Sequence, residues 1–415
     1  VSGFARADGV LRCDGLSLED AAARFGTPLY VYSAQAIRDA YRAYDQAFAA
    51  VPHRVCYAVK ANGNGAILRL LASLGAGADI VSGGELRAAL RAGFTADRIV
   101  FSGVGKTDDE IALGLEHGVA ELNAESEAEI ERIAEVAARL GRRAPLSLRV
   151  NPNIDAGSHP YISTGLSQNK FGVDIALAES ILGRARAHAS LRVVGVQCHI
   201  GSQILDTAPL AAAARELAGL ARRLLAAGFE LETIDFGGGL GVDYQTGAAG
   251  PDPATLAAQV LPELAGLRLL LLLEPGRFLI ARAGALLTRV LYLKENRGKR
   301  FVIVDAGMND LLRPSLYQAV HRIEPVVAEG GATSAVDVVG PVCESGDFFA
   351  RGRELPVVAQ GELLALLDAG AYGIVMASNY NMRPRPAEAL VDAGELRLIR
   401  RRESFEDLVR TEALD

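Results

Sequence analysis

A lysine ends the apolar run VCYAV, residues 55–59, within the motif YAVKAN. An ammonium there is unusual punctuation for what reads as a buried parallel strand. Pressed against apolar walls at the mouth of an α/β fold, Lys60 would lose hydration and shift toward the free amine. A lysine prepared in this way suits Schiff-base chemistry with an aldehyde cofactor. The plain alternative is a solvated strand-end lysine whose stem covers an edge.

Other reactive residue types follow at later strand ends. Gly237, Gly238 and Gly239 close a strand with backbone N–H groups open to an anion such as a phosphate, or simply make a tight turn. Gly276, in EPGR, lies at the next strand exit and offers a second amide cluster beside the first. Glu274 follows a leucine run and needs a cation there, either a protonated pyridine nitrogen or an arginine such as Arg277. In QCHIGSQ, His199 is placed to stack on a planar ring or to act as a structural hydrogen-bonder, and Gly201 and Ser202 open the chain behind it. CESGD sets the Cys343 thiol beside Glu344, with Asp347 close behind, a combination that can donate a proton, unless the cysteine is only a small buried residue. Arg313 and Tyr317 in RPSLY suit a carboxylate, and Tyr372 sits between glycines.

These residues need a scaffold that gathers strand ends. From Arg54 onward, short apolar runs alternate with Ala/Leu/Glu/Arg-rich stretches of helical period. Eight strands are predicted: VCYAV at 55, ADIV at 78, RIVFS at 98, AELN at 120, LSLRV at 146, VVGVQC at 193, TIDF at 233 and LLLLLE at 269. Eight βα units with no G-x-G-x-x-G opening the series fit a closed (β/α)8 barrel better than an open doubly wound sheet. Lys60, Ser82, Asn151, His199, Gly237 and Glu274 all then follow strands, at the end of the barrel where active sites are built.

After about residue 282 the rhythm turns strand-rich, with ALLTRVLYL, FVIVDAG, AVDVVGP, GIVMAS and the hairpin ALVDAGELRLI. The opening strands LRCDG and PLYVYS lack a helical partner and are expected to join that part. The predicted organisation is a barrel over 31–281 and a β domain from 1–30 and 282–415.

With 415 residues the chain can bury a large core, and a net charge of −7 with dispersed Lys and Arg gives no field for nucleic acid. Cys13, Cys56, Cys198 and Cys343 show neither metal-ligand spacing nor a disulfide framework, which suits a reducing cytoplasm. The longest aliphatic run, 267–273, is too short to span a bilayer, and no metal site has support.

The ordered set FGTPLYVYS, YAVKAN, GADIVSGGEL, FSGVGKT, LRVNP, HPYISTGL, NKFG, HIGSQ, FGGGLG, EPGR, LLRPSLY, CESGD and SNYNMRPRPAE resembles the diaminopimelate decarboxylases, pyridoxal-phosphate enzymes of the alanine-racemase-like fold type. The resemblance implies pyridoxal 5'-phosphate as cofactor and Lys60 as its covalent anchor. It implies that His199 faces the cofactor ring and that Glu274 pairs with the pyridine nitrogen. Ser202, Gly237, Gly238, Gly239 and Gly276 match the phosphate cradle, with Tyr372 nearby. Arg277, Arg313, Tyr317, Glu344 and Tyr372 fall on substrate contacts, and Cys343 on the proton donor.

The implied reaction is decarboxylation of meso-diaminopimelate to L-lysine and CO2. The CESGD loop is similar to one that reaches into a partner's site, which implies a homodimer whose β domain completes the active site. The alternative is a decarboxylase of ornithine, arginine or lysine on the same fold, although such relatives tend to carry Asp after the cysteine, where this chain has Glu344. A racemase or a non-catalytic cofactor-binding module is a more distant reading. Two departures from the pattern are visible: GNG at 63–65 replaces bulkier residues, and SQNKFG carries Ser-Gln where a charged pair is common.

Overall fold

The computed structural model describes residues 2–155, 164, 170–248, 250–328 and 330–413. Apart from Thr164, the motif HPYISTGL lies outside the described residues, as do 167–169 of SQNKFG. The chain divides into two compact units. One is Tyr41–Val242 with Ala249–Phe278; the other is Val1–Ala40 with Asp243–Ala248 and Leu279–Asp415.

In the first unit eight parallel strands close into a barrel. They are His53–Ala58, Gly77–Ile80, Ile99–Phe101, Glu121–Ala124, Ala144–Asn151, Leu191–Gln197, Thr233–Asp235 and Leu270–Leu273, the last pairing back onto the first. Each predicted strand has its place in this barrel. Cys56, Val100 and Leu272 pack together although Gly77–Ile80 separates the strands of the first two, so their contact lies inside the barrel.

The intervening helices start where polar side chains meet the chain's free amides. Asn64 accepts from Ala66 N–H ahead of the helix Gly65–Ser73, which gives the unusual GNG a local reason. Ser82, grouped above with the reactive strand ends, caps Gly83–Ala92 by accepting from Glu85 N–H. Thr107 and Glu110 form a reciprocal capping box on Asp108–His117.

The second unit is β-rich. Its main sheet runs Phe348–Pro356, Thr333–Val339, Lys299–Val304, Gly284–Asn296, Leu29–Ser33, Ala387–Asp392 and Glu395–Arg400, with Leu363–Leu366 joining at Gly284–Asn296. Leu29–Ser33 therefore sits inside a sheet made by the other end of the chain, antiparallel to one neighbour and parallel to the other. Its alternate residues Leu29 and Val31 share a core with Ala285, Leu287, Ala387, Ala389 and Val391. The opening strands are not without a helix, as the sequence suggested. Leu18–Phe25 buries Leu18, Ala21 and Ala22 against that same core, and each large aliphatic so buried contributes about 1.5–3 kcal/mol. The hairpin ALVDAGELRLI forms as expected, with Ala393 and Gly394 both at positive φ.

GIVMAS departs from expectation. It forms a 3-10 turn at Ile374–Met376 rather than a strand. Tyr372 before it holds φ 55°, and a Cβ on Gly373 would lie 2.6 Å from the Ala369 carbonyl oxygen. The chain is bent there by tight packing and cannot extend. No helix among the described residues is long and apolar enough to cross a membrane.

Candidate active site

Strand register explains how the barrel residues come together. The strands ending near Gln197, Asp235, Leu273 and Ala58 are successive neighbours, so their exits form one arc. Lys60 lies just past the last of these, in the turn Val59–Ala61. Its surroundings differ from the apolar walls expected. The Lys60 side chain is 38% exposed, and its Nζ stands 2.9 Å from Asp79 Oδ2, which is fully buried at the end of the next strand. Sequence reasoning missed Asp79, although an acid at the second strand exit, in GADIV, was a readable signal.

Glu274 is 5% exposed. Gln197 Nε2 donates to its Oε2 at 3.2 Å, while its Oε1 is buried with no hydrogen-bond partner. Arg277 does not supply the cation considered above. Its Nε and Nη2 donate to Ser202 Oγ at 3.3 and 3.0 Å. Asp235 lies beside Glu274 and accepts from Gly237 N–H at 2.7 Å. Its Oδ2 meets no other donor, but the two carboxyls lie within hydrogen-bonding reach, and a proton held on Asp235 is donated to Glu274. Burial and the mutual repulsion of these carboxylates push Asp235 upward, and burial with the negative charge of Asp79 pushes Glu274 upward. A buried acid with an unsatisfied oxygen is chemically suited to a ring N–H or other cation.

Gly238 N–H donates to His199 Nδ1 at 3.1 Å, so the imidazole carries its proton on Nε2. Burial, aided by Arg149 and Lys60, holds His199 well below the usual histidine range and keeps it neutral. This also corrects the picture of three open glycine amides: Gly237 and Gly238 bond internally, and only Gly239 N–H makes no hydrogen bond among the described residues. The glycines are needed for close approach, since a Cβ on Gly238 would fall 2.2 Å from the Glu274 carbonyl oxygen. With Ser202, Arg277 and Gly276, this corner offers donors and little side-chain bulk to an anionic group. Both the cradle and the unsatisfied acid fit pyridoxal phosphate.

The second unit holds the remaining predicted residues. Arg313 is buried at the start of the helix Arg313–Tyr317, and Ser315 Oγ ties that helix to Gly346 O of the CESGD loop at 2.5 Å. Tyr317 and Tyr372 are partly buried. Cys343 is exposed, and its N–H donates to Asn381 Oδ1 at 3.1 Å. Tyr380 Oη donates to Glu344 Oε2 at 3.0 Å. Asp347 does not join the thiol as a proton source. It turns inward and accepts from Val342 and Met308 N–H, both at 2.6 Å, so it shapes the loop. Asn381 and Tyr380, which steady the loop, carried no signal at the level of single residues.

Residues 34–281 match the family model described as pyridoxal-dependent decarboxylase, pyridoxal binding domain. Diaminopimelate decarboxylase from Pseudomonas aeruginosa is 50% identical over 411 residues, covering 99% of both chains. The enzyme of that name from Aquifex aeolicus is 47% identical, covering 97% of this chain and 95% of its own. Among solved structures, diaminopimelate decarboxylase from Helicobacter pylori complexed with L-lysine superposes with a TM-score of 0.92 at 46% identity, covering 95% of this chain and 98% of that one. With near-complete coverage, a shared barrel and this arc of strand-exit residues, the chain belongs to the diaminopimelate decarboxylase family of pyridoxal-dependent enzymes.

Proposed function

We propose that this chain removes one carboxylate of meso-2,6-diaminopimelate as CO2 to give L-lysine, with pyridoxal 5'-phosphate as cofactor, and that the residues above divide the work. The observation that carries the reading is the buried Glu274 carboxyl, which has no salt-bridge partner among the described residues and directly follows the strand paired with the one that leads to Lys60. When bound, pyridoxal phosphate supplies an electron sink for the carbon that loses CO2.

Lys60 provides the amine that anchors the aldehyde, and Asp79 holds that amine in place. Glu274 would accept the ring N–H of the bound cofactor, and that pairing would relieve the cost of its burial. Neutral His199, its tautomer fixed by Gly238, would face the cofactor ring. Ser202, Gly239 and Gly276, with Tyr372, would hold the phosphate, Gly237 and Gly238 would give it room because they carry no side chain, and Arg277 would serve phosphate or substrate. Arg313, Tyr317, Glu344 and Tyr372 contact the substrate. The far end of diaminopimelate is a zwitterion and needs both an anion grip and an ammonium grip, which Arg313 and Glu344 supply. The Cys343 thiol returns a proton to the carbon after CO2 has left.

The working form is a homodimer in the cytoplasm. Four free cysteines support a reducing compartment, and the exposed Cys343 loop, with Tyr380 and Met382 also exposed nearby, supports a partner surface. The deciding assay gives purified protein and pyridoxal phosphate a panel of diamino acids and follows CO2 and product stereochemistry together. Faster CO2 release from ornithine or lysine than from diaminopimelate would overturn the assignment.

A further inference from the structure

Arg313 is clasped from two sides within the second unit. Its Nη1 meets His321 Nε2 at 2.7 Å, and its guanidinium carbon lies 4.2 Å from the centroid of the Tyr244 ring. The His321 ring meets Tyr244 edge-on, with centroids 5.3 Å apart and planes at 70°. A guanidinium can only donate, so His321 Nε2 must be the acceptor. That leaves the proton on Nδ1, where it is donated to Leu367 O at 2.9 Å. The histidine is thus a neutral ring with one tautomer, relaying orientation from the main chain of Leu367 to Arg313.

The clasp is itself anchored. His321 is fully buried, and its carbonyl accepts from Arg353 Nη1. Next along the chain, Arg322 Nε donates to buried Asp368 at 3.1 Å, and its carbonyl accepts from Leu367 N–H at 2.9 Å. A free arginine side chain carries about 2 kcal/mol of rotamer entropy, which binding would otherwise have to overcome. A guanidinium held on a ring and a hydrogen bond has lost most of that freedom before any substrate arrives.

Resting on the reading of Arg313 as the grip for the distal carboxylate, we propose that His321 and Tyr244 are positioning residues for this enzyme. Together they pre-aim the Arg313 fork, so that selection of a substrate with a second carboxylate depends on two side chains that need not touch it. Tyr244 supplies the platform for the cationic plane. His321 supplies the acceptor that fixes rotation within that plane.

The test compares the holoenzyme with His321→Leu, His321→Gln, Tyr244→Leu and Arg313→Ala, measuring kcat, KM for diaminopimelate, and the visible band of the bound cofactor. Loss of one hydrogen bond to a charged group corresponds to a KM rise of about 10- to 100-fold in His321→Leu. The kcat is expected to change by less than about 3-fold, with the cofactor band intact. His321→Gln keeps an acceptor and recovers most of the wild-type KM. Tyr244→Leu raises KM by roughly 5- to 30-fold.

A structural role would instead lower kcat, cofactor content and KM performance together in all three variants, and that result would overturn the proposal. So would equal KM defects in His321→Gln and His321→Leu. If His321→Leu does not fold, His321→Gln and Tyr244→Leu decide the question by the same criteria. Arg313→Ala separates two failures. A raised KM there with none in the His321 and Tyr244 variants removes the positioning role alone. An unchanged KM in Arg313→Ala removes the assignment of Arg313 on which the role rests.

Discussion

Lys60 Nζ and Asp79 Oδ2 stand 2.9 Å apart across the exits of two adjacent barrel strands, the carboxylate fully buried and the ammonium partly open to solvent. Lys60→Ala removes the cofactor's anchor and leaves Asp79 buried without this cation. The visible absorption of bound cofactor should vanish, and stability should fall by about 1–3 kcal/mol, the cost of an uncompensated acceptor. Absorption spectra and denaturant midpoints check both; an unchanged visible band would reassign the anchor.

Glu274 should respond to loss of charge without loss of shape. Glu274→Gln keeps the volume and the contact with Gln197 but no longer stabilises a proton on a bound ring. A kcat lower by roughly 100-fold or more is expected, with cofactor still bound. Equal activity in Glu274→Gln would show that the ring nitrogen is held elsewhere.

Glu121 gives a pH prediction outside the site. It is 1% exposed and accepts from Thr233 Oγ1 at 2.7 Å, and burial pushes its carboxyl up to about 7 from 4.5. Between these values the folded chain keeps a proton that the unfolded chain releases. Its contribution to stability is therefore fully present below about pH 4.5 and is lost as pH rises toward 7. Glu121→Gln, which can still accept from Thr233, should raise stability at pH 8 by roughly 2–3 kcal/mol and leave it nearly unchanged at pH 4. Chemical denaturation at both values decides, and an equal gain at the two pH values would refute the linkage.

Arg149 and Glu125 form a buried ion pair, with Nη1 to Oε1 at 2.9 Å and side chains 8% and 2% exposed. Glu125 also accepts from Gly172 N–H, and Arg149 donates to the His199 carbonyl. Arg149→Leu should cost about 3–5 kcal/mol because it strands the carboxylate. Restoring the balance with Glu125→Leu as well should recover much of that loss. A double variant no more stable than the single one would refute this account.

Shared sites predict complementation. Mixing a Lys60→Ala protein with a Cys343→Ala protein under conditions of proven subunit exchange should return part of the activity. Each mixed dimer would then hold one site with both residues intact. Absence of any recovery argues for sites contained within single chains.

The eight strands were legible because each is a short apolar run followed by polar residues, and Lys60, His199 and Glu274 stood out as reactive types at those ends. Their partners were less visible. Asp79 is an acid within the otherwise apolar run ADIV, but the run does not name Lys60 as its partner; that contact comes only when the barrel closes. Asp347 reads as an acid near a thiol, yet backbone donors from Val342 and Met308 draw it inward. The glycine amides looked open because their acceptors, Asp235 and His199 Nδ1, become neighbours through the folded turns and strand pairing. In each case the missing information was which donor or acceptor the folded chain brings alongside, some of them within a few residues and others far along the sequence, which residue type alone does not carry.

The placement of Leu29–Ser33 between Gly284–Asn296 and Ala387–Asp392 imposes an order on biosynthesis. That strand is made long before either neighbour in its sheet, and one of those neighbours lies near the far end of the sequence. The barrel strands, by contrast, emerge in the order in which most of them pair, so their unit can mature during translation. Truncation that removes Ala387–Asp392 should therefore spare early barrel formation while leaving one edge of Leu29–Ser33 unpaired, a natural target for chaperones.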